Sequence, residues 1–106
     1  MDEDAVFHAL ADSSRRALLD RLRARDGQSL AELCDGLAMT RQAVSKHLGL
    51  LEAANLVVPL RRGREKLHFL NPVPIHAIAK RWIAKFERPA LDALADLKRR
   101  LEGETS

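Results

Sequence analysis

Apolar residues recur three and four positions apart through the first quarter of the chain: Val6, Phe7, Leu10, Leu18, Leu19 and Leu22. Residues at this spacing share one face of an α-helix. The pattern therefore predicts one helix from Asp4 to Leu10 and a second that ends at Asp26-Gly27. Asp12 or Ser13 is expected to cap the second helix, because a short polar side chain accepts the free amide hydrogens of a first turn.

Two further helices are predicted before residue 55. Ser29 and Glu32 have the spacing of a capping box, which opens a short helix that Asp35-Gly36 ends. Thr40 is placed to cap a longer helix that runs to about Ala54. The inward-facing residues of these two helices are expected to be Leu30, Leu33, Cys34, Val44, Leu48 and Leu51.

The pattern changes to strand-like after this helix. Residues 56–58 and 67–70 are β-prone, and Gly63 lies between them in a position suited to a hairpin turn. The sequence predicts a two-stranded hairpin over about 56–70, with a basic tip.

A last helical stripe follows Pro74 and predicts a terminal helix over about 74–102. Its apolar residues are Ile75, Ile78, Trp82, Ile83, Phe86, Leu91, Leu94, Leu97 and Leu101. Pro89 lies within the stripe, and proline lacks an amide donor and clashes with the preceding turn, so a kink or a restart is expected there. The predicted fold class is mainly α with a small β-hairpin, in the order α-α-α-α-β-β-α.

Two short helices followed by a basic hairpin constitute a winged helix-turn-helix, with the helix-turn-helix over about 29–54. The helix from Thr40 would be the recognition helix, and its outward face would present Arg41, Gln42, Ser45 and Lys46. Arginine suits guanine edges, glutamine suits adenine edges, and serine and lysine serve bases or phosphates. A polar outer face alone is ordinary for a surface helix. The ordered succession of capping box, turn, polar-faced helix and basic hairpin favours DNA binding.

The distribution of charge supports a nucleic-acid partner. The chain carries a formal net charge of +3, and Arg61, Arg62, Arg64 and Lys66 crowd the hairpin tip. Arginines so placed fit contacts to phosphates or the minor groove. Double-stranded DNA is therefore the expected partner.

Length and cysteine usage restrict the remaining possibilities. The 106 residues are expected to form a single domain, 1–106. Cys34 is the one cysteine, so no intrachain disulfide can form. With no leader-like or membrane-spanning apolar run, a cytoplasmic protein without a membrane partner is expected.

Three segments resemble the ArsR/SmtB family of bacterial transcriptional regulators. Residues 9–15 (ALADSSR) resemble the family's opening signature, residues 41–57 resemble its recognition helix and exit, and residues 63–65 resemble its wing. The resemblance spans about 5–70, and the recognition-helix match is its specific part. It implies a homodimer that binds an operator and usually represses transcription, with terminal helices pairing the subunits. It also matches His47 to the family's Ser-x-His element, in a supporting or phosphate-contacting role. A packing role is the alternative, because His47 borders the buried stripe.

The metal sites of the family are incomplete in this chain. Classical members use a Cys-x-Cys pair in the positioning helix, where this sequence has Glu32-Leu33-Cys34-Asp35-Gly36 with one thiol. Others use ligands on the last helix, where His76 has no second histidine at ligand spacing. One thiol and one imidazole do not complete a tetrahedral site, so no metal and no cofactor are expected. Cys34 is interpreted as a core residue, with a redox switch as the variant hypothesis. No catalytic triad, phosphate loop or metal-hydrolase motif is present, so an enzyme is disfavoured.

The apolar surface of the terminal helix exceeds what one small domain can cover. A dimer seam is the favoured interpretation, and a ligand pocket around Trp82 and Phe86 is the alternative. The residues assigned to the seam are Val6, Phe7, Leu10, Ile78, Trp82, Ile83, Phe86, Leu91 and Leu94. The alternative function is a winged-helix module that binds proteins rather than DNA. No motif specifies an inducer.

Overall fold

The computed structural model describes the backbone of residues 2–104, and all of their side chains except those of residues 88 and 104. The chain divides into two compact units, the first ending at Ile75 and the second beginning at His76. The first unit holds the helix-turn-helix and the hairpin. Its elements are α1 (Glu3–Leu10), α2 (Ser13–Ala24), α3 (Leu30–Cys34), α4 (Arg41–Ala53), β1 (Val57–Arg62) and β2 (Glu65–Leu70), and it contains the start of α5 (Val73–Ile78).

The helices of this unit begin where polar side chains cap them. Asp12 rather than Ser13 caps α2, since its Oδ1 accepts the amide hydrogens of Ser14 at 2.8 Å and Arg15 at 3.1 Å. The capping box at Ser29 and Glu32 is present in both directions, with donor–acceptor distances of 3.1 and 3.3 Å. Each such cap contributes about 1 kcal/mol of helix stability.

The core of the first unit is aliphatic. Its largest fully buried side chains are Leu18, Leu22, Leu33, Leu51, Leu56, Val6, Val44 and Val57. Each side chain of this size contributes about 1.5–3 kcal/mol by leaving water. Because α2, α3, α4 and β1 all supply members, this core fixes the recognition helix against the base of the hairpin.

The hairpin is antiparallel, with Arg62 opposite Glu65 and Val57 opposite Leu70. Two residues, Gly63 and Arg64, make the turn. Gly63 has φ +65° while Arg64 keeps a negative φ, as in a type II′ turn, where glycine is favoured at the first position. The sequence-based hairpin is confirmed.

The second unit is a helix with one irregular turn. After α5, a π-helical turn spans Ala79–Ile83, and α6 then runs from Ala84 to Glu104. Pro89 lies inside α6, so the helix does not restart there and the irregular turn lies upstream of the proline. A π turn holds one extra residue, which rotates the following side chains around the helix axis.

Three of the sequence-based side-chain assignments need correction. Val6 and Ile78 are 0% and 3% exposed within the chain itself, so they offer a partner subunit almost no surface. Cys34 is half-buried rather than enclosed in the core.

Within residues 2–104, no helix is both long and apolar enough to cross a membrane.

Candidate nucleic-acid interface

The recognition helix α4 has one buried face and one polar face. Val44, Leu48 and Leu51 are buried on the inner side. All four side chains expected on the outer side are exposed: Arg41, Gln42, Ser45 and Lys46. The buried stripe anchors the helix in the core and leaves the outer face open to solvent.

The hairpin has two different faces, because successive side chains of a strand point to opposite sides. Arg61, opposite Lys66, shares a face with the buried His68, whereas Arg62 lies on the other face, opposite Glu65. Arg64 occupies the turn. The three arginines are all exposed, yet the pleat separates Arg61 from Arg62. They therefore present cations in different directions.

A cleft of about 520 Å³ lies between α4 and the hairpin. Cationic side chains stand on both sides of it: Arg41 on the helix, and Arg64 and Lys66 on the hairpin. Ser29 and Ser45 add hydroxyl groups to the lining. Glu52 and Glu65 also line the cleft, and Glu52 pairs with Lys66, so the charge of the lining is mixed. The exposed Arg41 and Arg64 can contact an anionic chain while the hydroxyl groups donate hydrogen bonds to it.

Glu52 ties the hairpin to the recognition helix. Its Oε1 lies 3.1 Å from Lys66 Nζ and 3.8 Å from Nε2 of the buried His68. His68 Nδ1 donates to the carbonyl oxygen of Gln28 at 2.8 Å, and the same two residues form a β-bridge. The angle between wing and recognition helix is thus fixed by side-chain bonds as well as by the core.

Arg15 joins three helices and was not assigned a role by the sequence pattern. Its Nε donates to the carbonyl of Ala9 at 2.9 Å and its Nη2 to that of His8 at 3.0 Å, which caps the end of α1. Its Nη1 lies 3.3 Å from Nδ1 of His47 on α4. The sequence could have indicated this role, because Arg15 shares a helix face with Leu18, Leu19 and Leu22. A charged side chain on a buried face needs polar partners. At 7% exposure it is buried and needs these partners.

The sequence is similar to those of known helix-turn-helix regulators. Residues 10–59 match a helix-turn-helix domain family. The chain is 41% identical over 88 residues to the HTH-type transcriptional regulator YuzN of Bacillus subtilis, covering 77% of this chain and 96% of that protein. It is 29% identical over 66 residues to the transcriptional repressor SdpR of the same species, covering 62% of this chain and 72% of SdpR.

A solved structure extends the likeness across nearly the whole chain. The ArsR-like transcriptional regulator from Rhodococcus sp. RHA1 superimposes with a TM-score of 0.75 at 32% identity, covering 94% of this chain and 90% of that one. The chain belongs to the ArsR/SmtB family of transcriptional regulators. Its winged helix-turn-helix fold is confirmed.

Two carboxylates of this ArsR/SmtB regulator, Asp12 and Glu32, lie at helix starts and accept backbone hydrogen bonds there. In the part of the chain that the structure describes, no group of three histidine, cysteine or acidic side chains is arranged to hold a metal ion. Hydrogen bonding from the backbone N–H of Arg15, and next the Arg15 charge, hold the pKa of Asp12 below its ordinary value against some desolvation. The backbone N–H and then the hydroxyl of Ser29 likewise lower the pKa of Glu32.

Proposed function

We propose that this regulator acts as a homodimer that binds a palindromic DNA operator and represses transcription. The observation that carries the proposal is the outer face of α4. Arg41, Gln42, Ser45 and Lys46 are all exposed there, while the opposite face is locked in the core. A recognition helix enters the major groove with such a face toward the base edges.

The residues of the interface are proposed to divide into two roles. Gln42 and Ser45, near the start of α4, would meet base edges, and Arg41 and Lys46 would contact bases or phosphates. Arg61, Arg62 and Arg64 would grip the backbone or enter the minor groove. Arg61 and Arg62 lie on opposite faces of the hairpin, so they would contact DNA from different sides of the wing.

The dimer is proposed to form through the terminal helix. Its exposed apolar side chains are Trp82, Ile83, Phe86, Leu91, Leu94, Leu97 and Leu101. Phe7, which is 45% exposed, and the half-buried Leu10 remain candidates on α1. A continuous apolar face of this size is costly in water and is typical of an interface. Two-fold pairing would place two recognition helices about 34 Å apart, one turn of DNA.

Repression is supported by the sequence similarity to SdpR, which is a transcriptional repressor. A regulator that occupies an operator can block transcription without further chemistry. This agrees with the absence of a recognisable catalytic motif in the sequence.

Selection of bound fragments from genomic DNA with the purified protein tests the proposal. We expect enrichment of fragments that share a palindrome with half-sites one helical turn apart. Replacement of Gln42 by alanine should change the enriched motif, whereas Arg23→Ala, which removes an exposed arginine from α2, should leave it unchanged. Recovery of no enriched DNA by the wild-type protein would favour the alternative, a protein-docking winged helix.

A further inference from the structure

His47 is the one predicted DNA-contact residue whose side chain is bound to another element within the described part of the chain. It lies on α4, beside the core stripe, and is half-buried. Its Nδ1 faces Nη1 of Arg15 at 3.3 Å. An arginine guanidinium stays protonated in proteins and can only donate hydrogen bonds. Nδ1 must therefore be the acceptor of this bond, and in the neutral ring the proton must be on Nε2.

The position of Arg15 is itself determined by other contacts. Its Nε and Nη2 are held by the carbonyl groups that end α1, at 2.9 and 3.0 Å. The Asp12 carboxylate stands 4.0 Å from the same Nη1 that faces His47. Arg15 cannot rotate away from His47 without abandoning the cap of α1.

The second ring nitrogen of His47 reaches solvent. No polar side-chain atom of the described residues is both buried and without a hydrogen-bond partner. Arg15 is the one hydrogen-bond partner recorded for the His47 ring in this part of the chain, and it occupies Nδ1. The Nε2–H group is therefore available at the surface of the recognition helix.

We infer that Arg15 is a positioning residue that fixes His47 in the tautomer protonated on Nε2, so that this N–H donates to a DNA phosphate. The inference rests on the proposed function, because the phosphate is that of the bound operator. The Nε2–H is a neutral donor with a set direction, whereas the wing presents charged side chains that are exposed. It adds a contact that locates α4 along the backbone without reading sequence.

A proton on Nδ1 would face the N–H of Arg15 and would remove this hydrogen bond, so the contact requires a bare Nδ1.

The first test reads the tautomer directly in the free protein. A long-range ¹⁵N–¹H spectrum of the wild-type protein at neutral pH shows which ring nitrogen of each histidine carries the proton, and the signals lost in His47→Gln assign His47. We expect the proton on Nε2 and a bare Nδ1. A proton on Nδ1, or a ring charged at neutral pH, would overturn the inference.

The second test uses two variants that leave Arg15 in place, because its loss would also remove the cap of α1. In His47→Gln, the amide nitrogen lies near the place of Nε2 and keeps the outward donor. In His47→Asn, the shorter amide can still accept from Arg15 but no longer reaches outward. The probe is sonicated bulk double-stranded DNA at low salt, since a phosphate contact is independent of sequence.

The His47→Gln protein should bind this DNA with an affinity within about threefold of wild type. The His47→Asn protein should bind it about tenfold more weakly, which is the loss typical of a hydrogen bond to a charged group. Equal affinities for the two variants would contradict the phosphate contact. If the wild-type protein binds no DNA, the proposed function fails together with that contact, while the spectrum still decides the tautomer.

Discussion

Single residues near the recognition helix divide into those that face outward and those that hold the helix in place. Gln42 is exposed on the outer face of α4, whereas Glu52 bonds the hairpin through Lys66 at 3.1 Å. A mutation at an outward residue should change what is bound. A mutation at a holding residue should change how firmly the wing is presented.

Replacing Gln42 and Arg64 separately by alanine should separate specificity from affinity. A bidentate contact from Gln42 to a base is worth about 1–3 kcal/mol of discrimination, so Gln42→Ala should weaken binding only at particular base pairs. Arg64→Ala should weaken the binding of all sequences about equally, because Arg64 lies exposed in the hairpin turn, where it is proposed to contact the DNA backbone. Binding titrations against a panel of single-base operator variants measure both, with Arg23→Ala as the arginine control. The roles are reversed if Arg64→Ala changes the base preference.

At the scale of elements, the caps and apolar stripes of the first unit were predictable because their signals are local. Asp12, Ser29 and Thr40 each accept amide hydrogens within three residues, so the pattern itself contains the interaction. The π turn at Ala79–Ile83 was not predictable, because its residues continue the apolar spacing of an ordinary α-helix. Nor was the Arg15–His47 contact, which joins residues 32 positions apart.

Removing the capping box should destabilise the positioning helix α3 and should change the response to acid. Ser29→Ala should lower the free energy of unfolding by about 1 kcal/mol, because the N–H of Glu32 loses its acceptor. The pKa of Glu32 is depressed in the folded protein, so its contribution is present above the unfolded pKa and is lost as pH falls through the folded value.

Ser29→Ala keeps the backbone N–H that is the first cause of this shift and removes the hydroxyl that is the second. The advantage of wild type over Ser29→Ala should therefore shrink in part as pH falls below about 4, by the share that the hydroxyl supplies. Urea unfolding at pH 7 and at pH 3.5 measures it. Ser14→Ala is the matched control, since it leaves the capping box intact. A difference between wild type and Ser29→Ala that is unchanged or larger at pH 3.5 would contradict this account.

At the scale of the whole molecule, the second unit has more apolar surface than its own fold covers. Trp82 and Phe86 stack with ring centroids 6.4 Å apart and are 41% and 58% exposed. A dimer seam on this helix remains a prediction, and the sequence periodicity alone could not separate its exposed members from its buried ones. Val6 and Ile78 follow the same periodicity as their exposed neighbours, and only the tertiary structure shows that they are already buried.

Trp82→Ala should weaken the dimer, and DNA affinity should fall with it because one half-site supplies too few contacts. Truncating a buried ring of this size costs about 3–5 kcal/mol. Sedimentation equilibrium at micromolar concentration measures the association, with Val58→Ala as a control that truncates an exposed apolar residue of the wing. A wild-type protein that is monomeric, or a Trp82→Ala protein that is dimeric with full affinity, would place the seam elsewhere.

The central claim is that this regulator grips DNA through cations on α4 and the wing of both subunits, and its salt dependence tests that claim most directly. The dissociation constant for the selected operator should be measured between 50 and 200 mM salt, for wild type and for Arg64→Ala. With about 6–10 phosphate contacts per dimer, the affinity should fall about 10³–10⁵-fold over this range. The slope for Arg64→Ala should be smaller by about one unit per subunit. Binding that is insensitive to salt would contradict the account. A salt slope that neither Arg64→Ala nor Arg41→Ala changes would contradict it as well.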